Sequence, residues 1–308
     1  MSFSFRQVKY FIAAAETGRI SQAAIDLHVS QSAITTAVKG LEEIMDTKLF
    51  DRHAQGVSLT YEGHQFLQHA KHITAAVQEA MRVPSRAHET IKGVVKLAVS
   101  YTVAGYFLPA YLARFSRSFP GVQINFEEAD RDDIEEGLIS GKYDLAVMLV
   151  SNLRDQEGIG YETLIQSRRR LWLCSGHPFL DLPVVSLQDV SKEPYIMLSV
   201  DEASNTAQRY WNRTPYLPNV IFRTSSVEAV RSMVANGTGI AILSDMVYRP
   251  WSLEGRRVEV LTLSDPIPSM DVGLAWNRNM DRSSAVEAFC EFMHLALGSE
   301  QPQPGLSH

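Results

Sequence analysis

The sequence is poor in the features that mark secreted, membrane and metal-binding proteins. It has 2 cysteines in 308 residues, and no metal-ligand spacing surrounds Cys174 or Cys290, so neither a disulfide framework nor a zinc site is indicated. No apolar run approaches the length of a membrane span, and the N-terminal residues have no apolar core of a secretion signal. We therefore expect a cytoplasmic protein that binds no metal or other cofactor.

A strong charge bias is also absent. The formal net charge is -6, with 21% charged and 45% hydrophobic residues, which is ordinary for a soluble globular protein. The first 92 residues carry ten Lys and Arg against nine Asp and Glu, so the acidity belongs to the rest of the chain. Bulk charge alone therefore does not establish a nucleic-acid partner, and the length allows two or three domains.

Closely spaced helix caps mark the N-terminal region. A first helix is predicted after Ser4, whose capping box Gln7 completes, and Gly18 is a suitable C-terminal residue for it. The stretch SQAAIDLHVSQSAITTAVKGLEE then predicts two further helices, with Ser21 and Ser30 as their caps. Two short helices joined so tightly indicate a helix-turn-helix.

The outward face of the third helix is unusual. Its inward positions are apolar, and the residues left outside are Ser30, Gln31, Ser32, Thr35, Thr36 and Lys39. A solvated helix face is normally rich in Glu and Lys, whereas short hydroxyls and an amide approach base edges and phosphates closely. This face is predicted to read DNA, and an ordinary polar face is the alternative.

The segment KLFDRHAQGVSLT predicts a small hairpin around residues 54–56. It places Arg52 at the hairpin edge, in reach of phosphate or the minor groove. The predicted domain over 1–60 is therefore a winged helix-turn-helix.

Thr60 is expected to cap a long helix, the linker helix and hinge of 61–91. An a/d repeat runs along it through Phe66, Ala70, Ile73, Val77 and Ala80, and such a repeat predicts a dimerising seam. A metal site at its three histidines is the weaker alternative, because no further ligand completes a set.

Strands alternate with helices from Gly93 onward, which predicts parallel sheets with helices on both faces. Two such sets follow one another and indicate two lobes with a cleft between them. We expect an effector domain over 92–300, with lobe I at 92–166 and 267–300 and lobe II at 167–266. The tail, 301–308, is expected to be disordered.

At this point the sequence resembles the LysR-type transcriptional regulators. The resemblance is carried by FIAAAETGRISQAAIDLHVSQSAITTAVKGLEE, LFDRHAQGVSLTYEG, YFLPAYLARFSRSFPGV, YDLAV and SVEAVRSMVANGTGIAILS. It implies an α/β protein overall, with a winged helix, a linker helix and a two-lobed, periplasmic-binding-protein-like effector domain. It further implies a metabolite-responsive regulator without catalysis, a homotetramer built as a dimer of dimers on an interrupted palindrome of double-stranded DNA.

One departure from the family pattern concerns the recognition helix. Many members have Ser-Arg where this chain has Thr35-Thr36, so a common long cationic contact is missing. We expect either weaker electrostatic affinity for DNA or a phosphate contact from Lys39 or His28 instead.

An effector site is expected at the carboxyl ends of the strands, between the lobes. Ser100 and Thr102 follow the first strand and begin a helix, where hydroxyls and free backbone N–H groups accept a carboxylate or other oxyanion. The family places effector contacts at these positions. Further candidates are Met148, Ser204, Asn205, Thr224 and Ser225, although each hydroxyl or amide among them could merely cap a helix.

Two other functional classes use the same two-lobed fold. A solute-binding protein is disfavoured by the helix-turn-helix, and an enzyme by the lack of a nucleophile, base and acid set. The run RRR at 168–170 is interpreted as an exposed strand start, with an anion site as the minor alternative. The expected effector is an organic acid or other anion.

Overall fold

The computed structural model describes residues 3–53, 56–81, 91–155 and 157–298. The chain divides into two compact units, Met1–Pro84 and Ser85–His308, and each is considered by itself. Most of the expected hinge before residue 91 and the expected disordered tail lie outside the described residues. Within the described ranges no helix is both long enough and apolar enough to cross a membrane.

The first unit is a helical domain with a two-stranded hairpin. Its elements are α1 (Phe5–Thr17), α2 (Ile20–Asp26), α3 (Gln31–Met45), β1 (Phe50–His53), β2 (Gly56–Leu59) and α4 (Tyr61–Met81). β1 and β2 pair antiparallel, as the predicted wing requires.

Most of the predicted helix ends in this unit are confirmed. Ser4 accepts from Gln7 N in a capping box, Gly18 ends α1 at φ 65°, and Ser30 accepts from Ala33 N. The predicted cap at Ser21 is wrong, because α2 begins one residue earlier, after Arg19. α1 and α2 are separated by only two residues. Thr17 stabilises the turn between them, because its hydroxyl accepts from the amide of Arg19 at 3.4 Å.

One apolar core joins the helices, the hairpin and the first half of α4. Phe66 and Ala70 of α4 are buried in it, and the Phe66 ring lies 4.9 Å from that of Phe11. These two residues therefore belong to the domain core and are not free to start a seam with a second chain. Ile73 and Val77 remain half-buried, while the side chain of Ala80 lies outside the described part.

The start of α4 lies tightly against the residues before the wing. Thr60 caps α4, as predicted, by accepting from Gly63 N at 2.9 Å. Its hydroxyl also donates to the carbonyl of Lys48 at 2.7 Å. A Cβ at Gly63 would lie 2.0 Å from the carbonyl oxygen of Leu49, so only glycine permits this approach.

The second unit contains three sheets and seven α-helices among its described residues. Its strands are β3 (Gly93–Val99), β4 (Val122–Glu128), β5 (Leu145–Leu149), β6 (Ile159–Ser167), β7 (Arg169–Cys174), β8 (Pro194–Leu198), β9 (Asn219–Thr224), β10 (Ala241–Ser244), β11 (Val258–Leu261) and β12 (Met270–Asn277). Its helices are α5 (Tyr101–Tyr106), α6 (Leu108–Ser118), α7 (Arg131–Ser140), α8 (Leu187–Val190), α9 (Ala203–Trp211), α10 (Val227–Ala235) and α11 (Ser284–Gly298).

The sheets are only partly parallel. Lobe I holds the order β4-β3-β5-β12-β6, in which β3 is parallel to β4 and β5, whereas β12 is antiparallel to both of its neighbours. Lobe II holds the antiparallel order β10-β7-β11 and the parallel pair β8-β9. Sequence analysis did not predict β6 or β11, because both are edge strands whose side chains are largely half-buried or exposed.

The chain returns to lobe I at its end. β12 pairs with β5 and β6, and Phe289 and Met293 of α11 are fully buried against this sheet together with Phe115 of α6. Two consecutive helices, α5 and α6, follow β3. They are broken at Phe107, where φ is -120° and ψ is -58°, and Pro109 in the first turn of α6 has no amide hydrogen with which to continue α5.

Candidate DNA-reading face and effector cavity

The outward face of α3 has the composition expected from the sequence. Gln31, Ser32, Thr36 and Lys39 are exposed and Thr35 is half-buried. The hydroxyl of Ser30 is already used as a helix cap and lies 2.9 Å from that of Ser32. The donors left for an external partner are therefore mainly one amide, two threonine hydroxyls and one ammonium group.

The wing places one arginine at the surface of the same unit. Arg52 is exposed on β1, opposite Val57 of β2. The turn at 54–55 lies outside the described residues.

A buried carboxylate that sequence analysis missed connects α3 to the wing. Glu42 is 8% exposed, and its Oε1 accepts from the backbone amides of Leu49 and Phe50 at 2.9 and 3.3 Å. Its Oε2 lies 3.3 Å from Lys48 Nζ. Because these partners lie six to eight residues away, no local pattern marks Glu42 as more than a polar residue near a helix end.

The predicted oxyanion site at the start of α5 is already occupied by a side chain of lobe II. Asp201 Oδ2 accepts from Thr102 N at 2.7 Å and also from Thr102 Oγ1. The expectation of free N–H groups here is therefore wrong for this state. Ser100 is only 4% exposed, yet its hydroxyl has no hydrogen-bond partner in the described part of the chain.

The candidates from lobe II are distributed differently from the prediction. Ser204 is half-buried and Asn205 exposed in the first turn of α9, whereas Thr224 accepts from Ser226 N within a turn. Ser225 lies exposed in the cleft.

Two further residues of α9 also contact lobe I. Thr206 and Arg209 donate to Asn152 Oδ1 at 3.3 and 3.4 Å. Thr206 ends the segment DEASNT, whose polar residues sequence reasoning assigned to the cleft, whereas nothing local distinguishes Arg209 from an ordinary helix residue.

Met148 does not belong to the site. It is 1% exposed and packs in the core with Ile134 and Leu138. Successive side chains of a strand point to opposite faces, and it is the next residue, Leu149, that faces the space between the lobes.

Two spaces lie between the lobes. The inner cavity, of about 30 Å³, is lined among others by Thr102, Leu149, Arg169, Tyr195, Asp201 and Tyr210. The open cleft, of about 650 Å³, is lined among others by Tyr101, Glu128, Asp130, Asp133, Glu202 and Ser225. Val200 and Asp201 line both spaces, so this segment forms the wall between them.

Arg169 supplies the positive charge of the inner cavity. Its Nη1 donates to the carbonyl oxygens of Pro268 and Ser269, both at 2.5 Å. Among the described residues no carboxylate lies within ion-pair distance of it. Burial lowers the pKa of its guanidinium from the ordinary value, but an arginine stays charged at any physiological pH. The interpretation of RRR as only an exposed strand start is therefore wrong for Arg169.

Two buried phenols border the same cavity. The hydroxyls of Tyr195 and Tyr210 lie 3.5 Å apart, and Tyr195 also accepts from Ile242 N at 3.2 Å. Burial raises the pKa of both groups above their ordinary value, so they remain neutral donors. The cavity thus combines the guanidinium of Arg169, the carboxylate of Asp201, two phenolic hydroxyls and an apolar wall.

The open cleft has the opposite charge. Glu128, Asp130 and Asp133 are exposed along its lobe I side. Arg131 is the cation among its lining residues, and its guanidinium is bound by Glu202 and by Asp132 at 2.6 Å. The open cleft is therefore more unfavourable for an anion than the inner cavity, whose lining includes Arg169 beside the Asp201 carboxylate.

No group of three or more His, Cys, Asp or Glu among the described residues is placed to hold a metal ion.

Comparison with known proteins covers both units. Residues 5–64 match the model of bacterial regulatory helix-turn-helix proteins of the lysR family, and residues 88–297 match that of the LysR substrate binding domain. The chain is 30% identical over 291 residues to the uncharacterized HTH-type transcriptional regulator YwqM of Bacillus subtilis, covering 93% of this chain and 97% of that protein. It is 25% identical over 297 residues to the DNA-binding transcriptional dual regulator OxyR of Escherichia coli, covering 96% of each.

Solved structures agree with these matches. HinK, a LysR family transcriptional regulator from Pseudomonas aeruginosa, has a TM-score of 0.64 at 28% identity, covering 97% of this chain and 100% of that one. Full-length CbnR complexed with its target DNA has a TM-score of 0.54 at 21% identity, covering 96% and 100%, and at that identity it shows the fold alone. The relatives are transcriptional regulators and not enzymes. The chain belongs to the LysR family of DNA-binding transcriptional regulators and joins a helix-turn-helix domain to an effector-binding domain.

Proposed function

We propose that this regulator senses a small organic anion, which binds in the inner cavity between the lobes. Binding of the anion changes how the protein binds a palindromic operator. The observation that carries the proposal is Arg169, a half-buried guanidinium at the cavity wall with no carboxylate within ion-pair distance among the described residues. A buried charge is unfavourable unless it is paired. An anionic ligand supplies the missing partner.

The remaining groups around the cavity fit such a ligand. Tyr195 and Tyr210 offer neutral phenolic donors, and Leu149 contributes apolar surface. Ser100, with its unpartnered buried hydroxyl, and Thr102 are the proposed contacts from lobe I. Ser204, Asn205, Thr224 and Ser225 are retained as proposed contacts of lobe II once the lobes rearrange.

DNA recognition is assigned to the exposed face of α3. Ser30, Gln31, Ser32, Thr35, Thr36 and Lys39 form this face, with Arg52 in the wing. A near-neutral domain with few cations neutralises few phosphates, so one copy binds weakly. Several linked copies raise the effective concentration of each domain at the operator.

Oligomerisation is therefore part of the proposal. Ile73 and Val77 of α4 are only half-buried within their own unit and remain available for a seam between two chains. In the second unit, the edge strands β4 and β9 leave Phe126, Ile221 and Phe222 exposed. Exposed apolar edges favour pairing with a further copy. A homotetramer built as a dimer of dimers would bury both surfaces.

The anion site is tested with full-length protein and a panel of small carboxylates that includes benzoate and succinate. Arg169→Gln is compared with Arg168→Gln, because Arg168 is its exposed neighbour. At least one carboxylate is expected to raise the melting temperature of the wild type and of Arg168→Gln but not that of Arg169→Gln. An equal rise in Arg169→Gln, or no rise with any carboxylate, contradicts the proposal.

A further inference from the structure

We infer that Asp201 and Glu202 form a latch between the lobes, which closes the inner cavity and must release before an effector enters. The inference rests on the proposed effector site and concerns its regulation. The latch is defined as the Asp201–Glu202 dipeptide of lobe II together with its partners in lobe I, Thr102, Arg131 and Asn152.

Three separate contacts hold the dipeptide against lobe I. The Asp201 carboxylate accepts from the amide and the hydroxyl of Thr102. The carbonyl of Asp201 accepts from Asn152 Nδ2 at 2.9 Å, and the Glu202 carboxylate pairs with the guanidinium of Arg131. Thr102 and Asn152 are buried and Arg131 is 7% exposed, so the contacts are shielded from water and stronger than surface pairs.

The backbone of the dipeptide is strained. Asp201 has φ 48° and ψ 39°, and Glu202 has φ 63° and ψ 19°. Two consecutive side-chain-bearing residues in the left-handed region are unfavourable and persist only where surrounding contacts determine them. Release of the contacts also relieves this strain, so a latched and an unlatched arrangement are closer in free energy than the contacts alone suggest.

The position of the dipeptide decides what it controls. Val200 and Asp201 line both the inner cavity and the open cleft, so the segment stands between solvent and Arg169. The inner cavity of about 30 Å³ has room for about one or two water molecules. Even the smallest aromatic carboxylic acid is larger than this cavity, so its carboxylate group cannot reach Arg169 while the latch is closed.

Hydrogen exchange on the ligand-free, full-length protein tests the latch directly. The reporter is the amide of Ile242, which donates to Tyr195 Oη at the cavity wall. In Asp201→Ala and in Glu202→Gln its exchange is expected to be about tenfold faster than in the wild type, the factor that corresponds to loss of one hydrogen bond to a charged group.

Matched controls separate the latch from a change of charge. Asp133→Ala removes a carboxylate of the same cleft that, within the described part of the chain, makes no hydrogen bond across the lobes. Asp132→Asn removes the partner of Arg131 within its own lobe. Neither is expected to accelerate exchange at Ile242. Unchanged exchange in both latch variants, or equal acceleration in the controls, overturns the inference.

A ligand titration separates this inference from the proposed anion site. Benzoate, or whichever carboxylate of the panel stabilises the wild type, is expected to bind Asp201→Ala about tenfold more tightly than the wild type, since no latch competes. The same affinity in both proteins overturns the role of the latch in effector entry, even if Arg169→Gln abolishes binding. If no carboxylate binds either protein, the anion site fails, while exchange at Ile242 still decides the latch.

Discussion

Glu42 Oε1 lies 2.9 Å from the backbone amide of Leu49, and this buried hydrogen bond joins the end of α3 to the start of β1. The same oxygen accepts from Phe50 N at 3.3 Å. One carboxylate therefore satisfies two backbone donors that the domain core would otherwise leave without water or a partner.

Replacement of Glu42 by alanine is expected to destabilise the DNA-binding unit by about 2–4 kcal/mol, because it leaves two buried amides unsatisfied. Glu43→Ala, on the exposed side of the same helix, is the control and should change stability by less than about 0.5 kcal/mol. Differential scanning calorimetry of the full chain checks this through the transition of the first unit. Equal melting of the two variants contradicts the structural role of Glu42.

The α3 face is tested by separating specific from nonspecific binding. Gln31→Ala combined with Thr35→Ala is expected to abolish preference for the operator while the effector domain remains folded. Lys39→Ala is expected to weaken binding to all sequences and to lower the salt slope of binding by about 1. Fluorescence anisotropy with an operator selected from genomic fragments and with a scrambled duplex measures both effects. An unchanged preference of the double variant for the operator over the scrambled duplex contradicts the assignment of this face.

The two halves of α4 are expected to respond differently to mutation. Phe66→Ala should destabilise the first unit by about 3–5 kcal/mol, because it empties a packed aromatic position. Ile73→Asp should leave the unit folded and weaken self-association, because a charge at the seam is desolvated. Calorimetry and sedimentation measure the two effects. An Ile73→Asp chain that associates as strongly as the wild type excludes this seam.

Substitutions at Ser100 and Thr102 are expected to differ in their effect on stability. Ser100→Ala removes a buried hydroxyl without a described partner, so the ligand-free protein should lose no stability, whereas Thr102→Val breaks the bond to Asp201 and should cost about 1–2 kcal/mol. Urea unfolding followed by tryptophan fluorescence reports on this unit, since all four tryptophans lie in it. The same Ser100→Ala variant is expected to bind its effector about tenfold more weakly; calorimetry with unchanged affinity contradicts the contact.

A further interlobe hydrogen bond predicts a dependence on alkaline pH. Tyr106 Oη donates to Glu228 at 2.9 Å, and burial, helped by this bond, raises the pKa of Tyr106 to about 12. The neutral phenol is thus favoured in the folded state, so its stabilisation is complete below the ordinary pKa of about 10 and is lost as pH rises through about 12.

The check compares the wild type with Tyr106→Phe by urea unfolding between neutral and strongly alkaline pH. The difference in unfolding free energy should stay constant up to about pH 10 and shrink above it. A difference that vanishes near neutrality contradicts the raised pKa.

The features that sequence predicts well are those whose partners are close in the chain. Ser4, Gly18 and Ser30 each bond within three or four residues, and such caps have recognisable patterns. Thr102 and Asp201 are 99 positions apart, and no spacing rule connects them. The oxyanion chemistry of Thr102 was therefore foreseen, whereas its partner within the chain was not.

Fully buried segments limit prediction for a different reason. All five residues of β5 are buried, so alternation of polar and apolar residues cannot reveal which face Met148 takes. The arginine run at 168–170 posed a similar problem, since its charge alone suggests that all three side chains are exposed to solvent. Only the fold shows that Arg169 lies against the cavity while Arg168 remains exposed.

The contact at Gly63 has a mechanical consequence. The backbone of α4 touches the carbonyl of Leu49, and Thr60 bonds on both sides of the junction, so no hinge separates the long helix from the wing. A rotation of α4 is therefore expected to move Arg52 with it. We expect the orientation of α4 to fix that of the wing, and a bulkier residue at position 63 to loosen the connection between them.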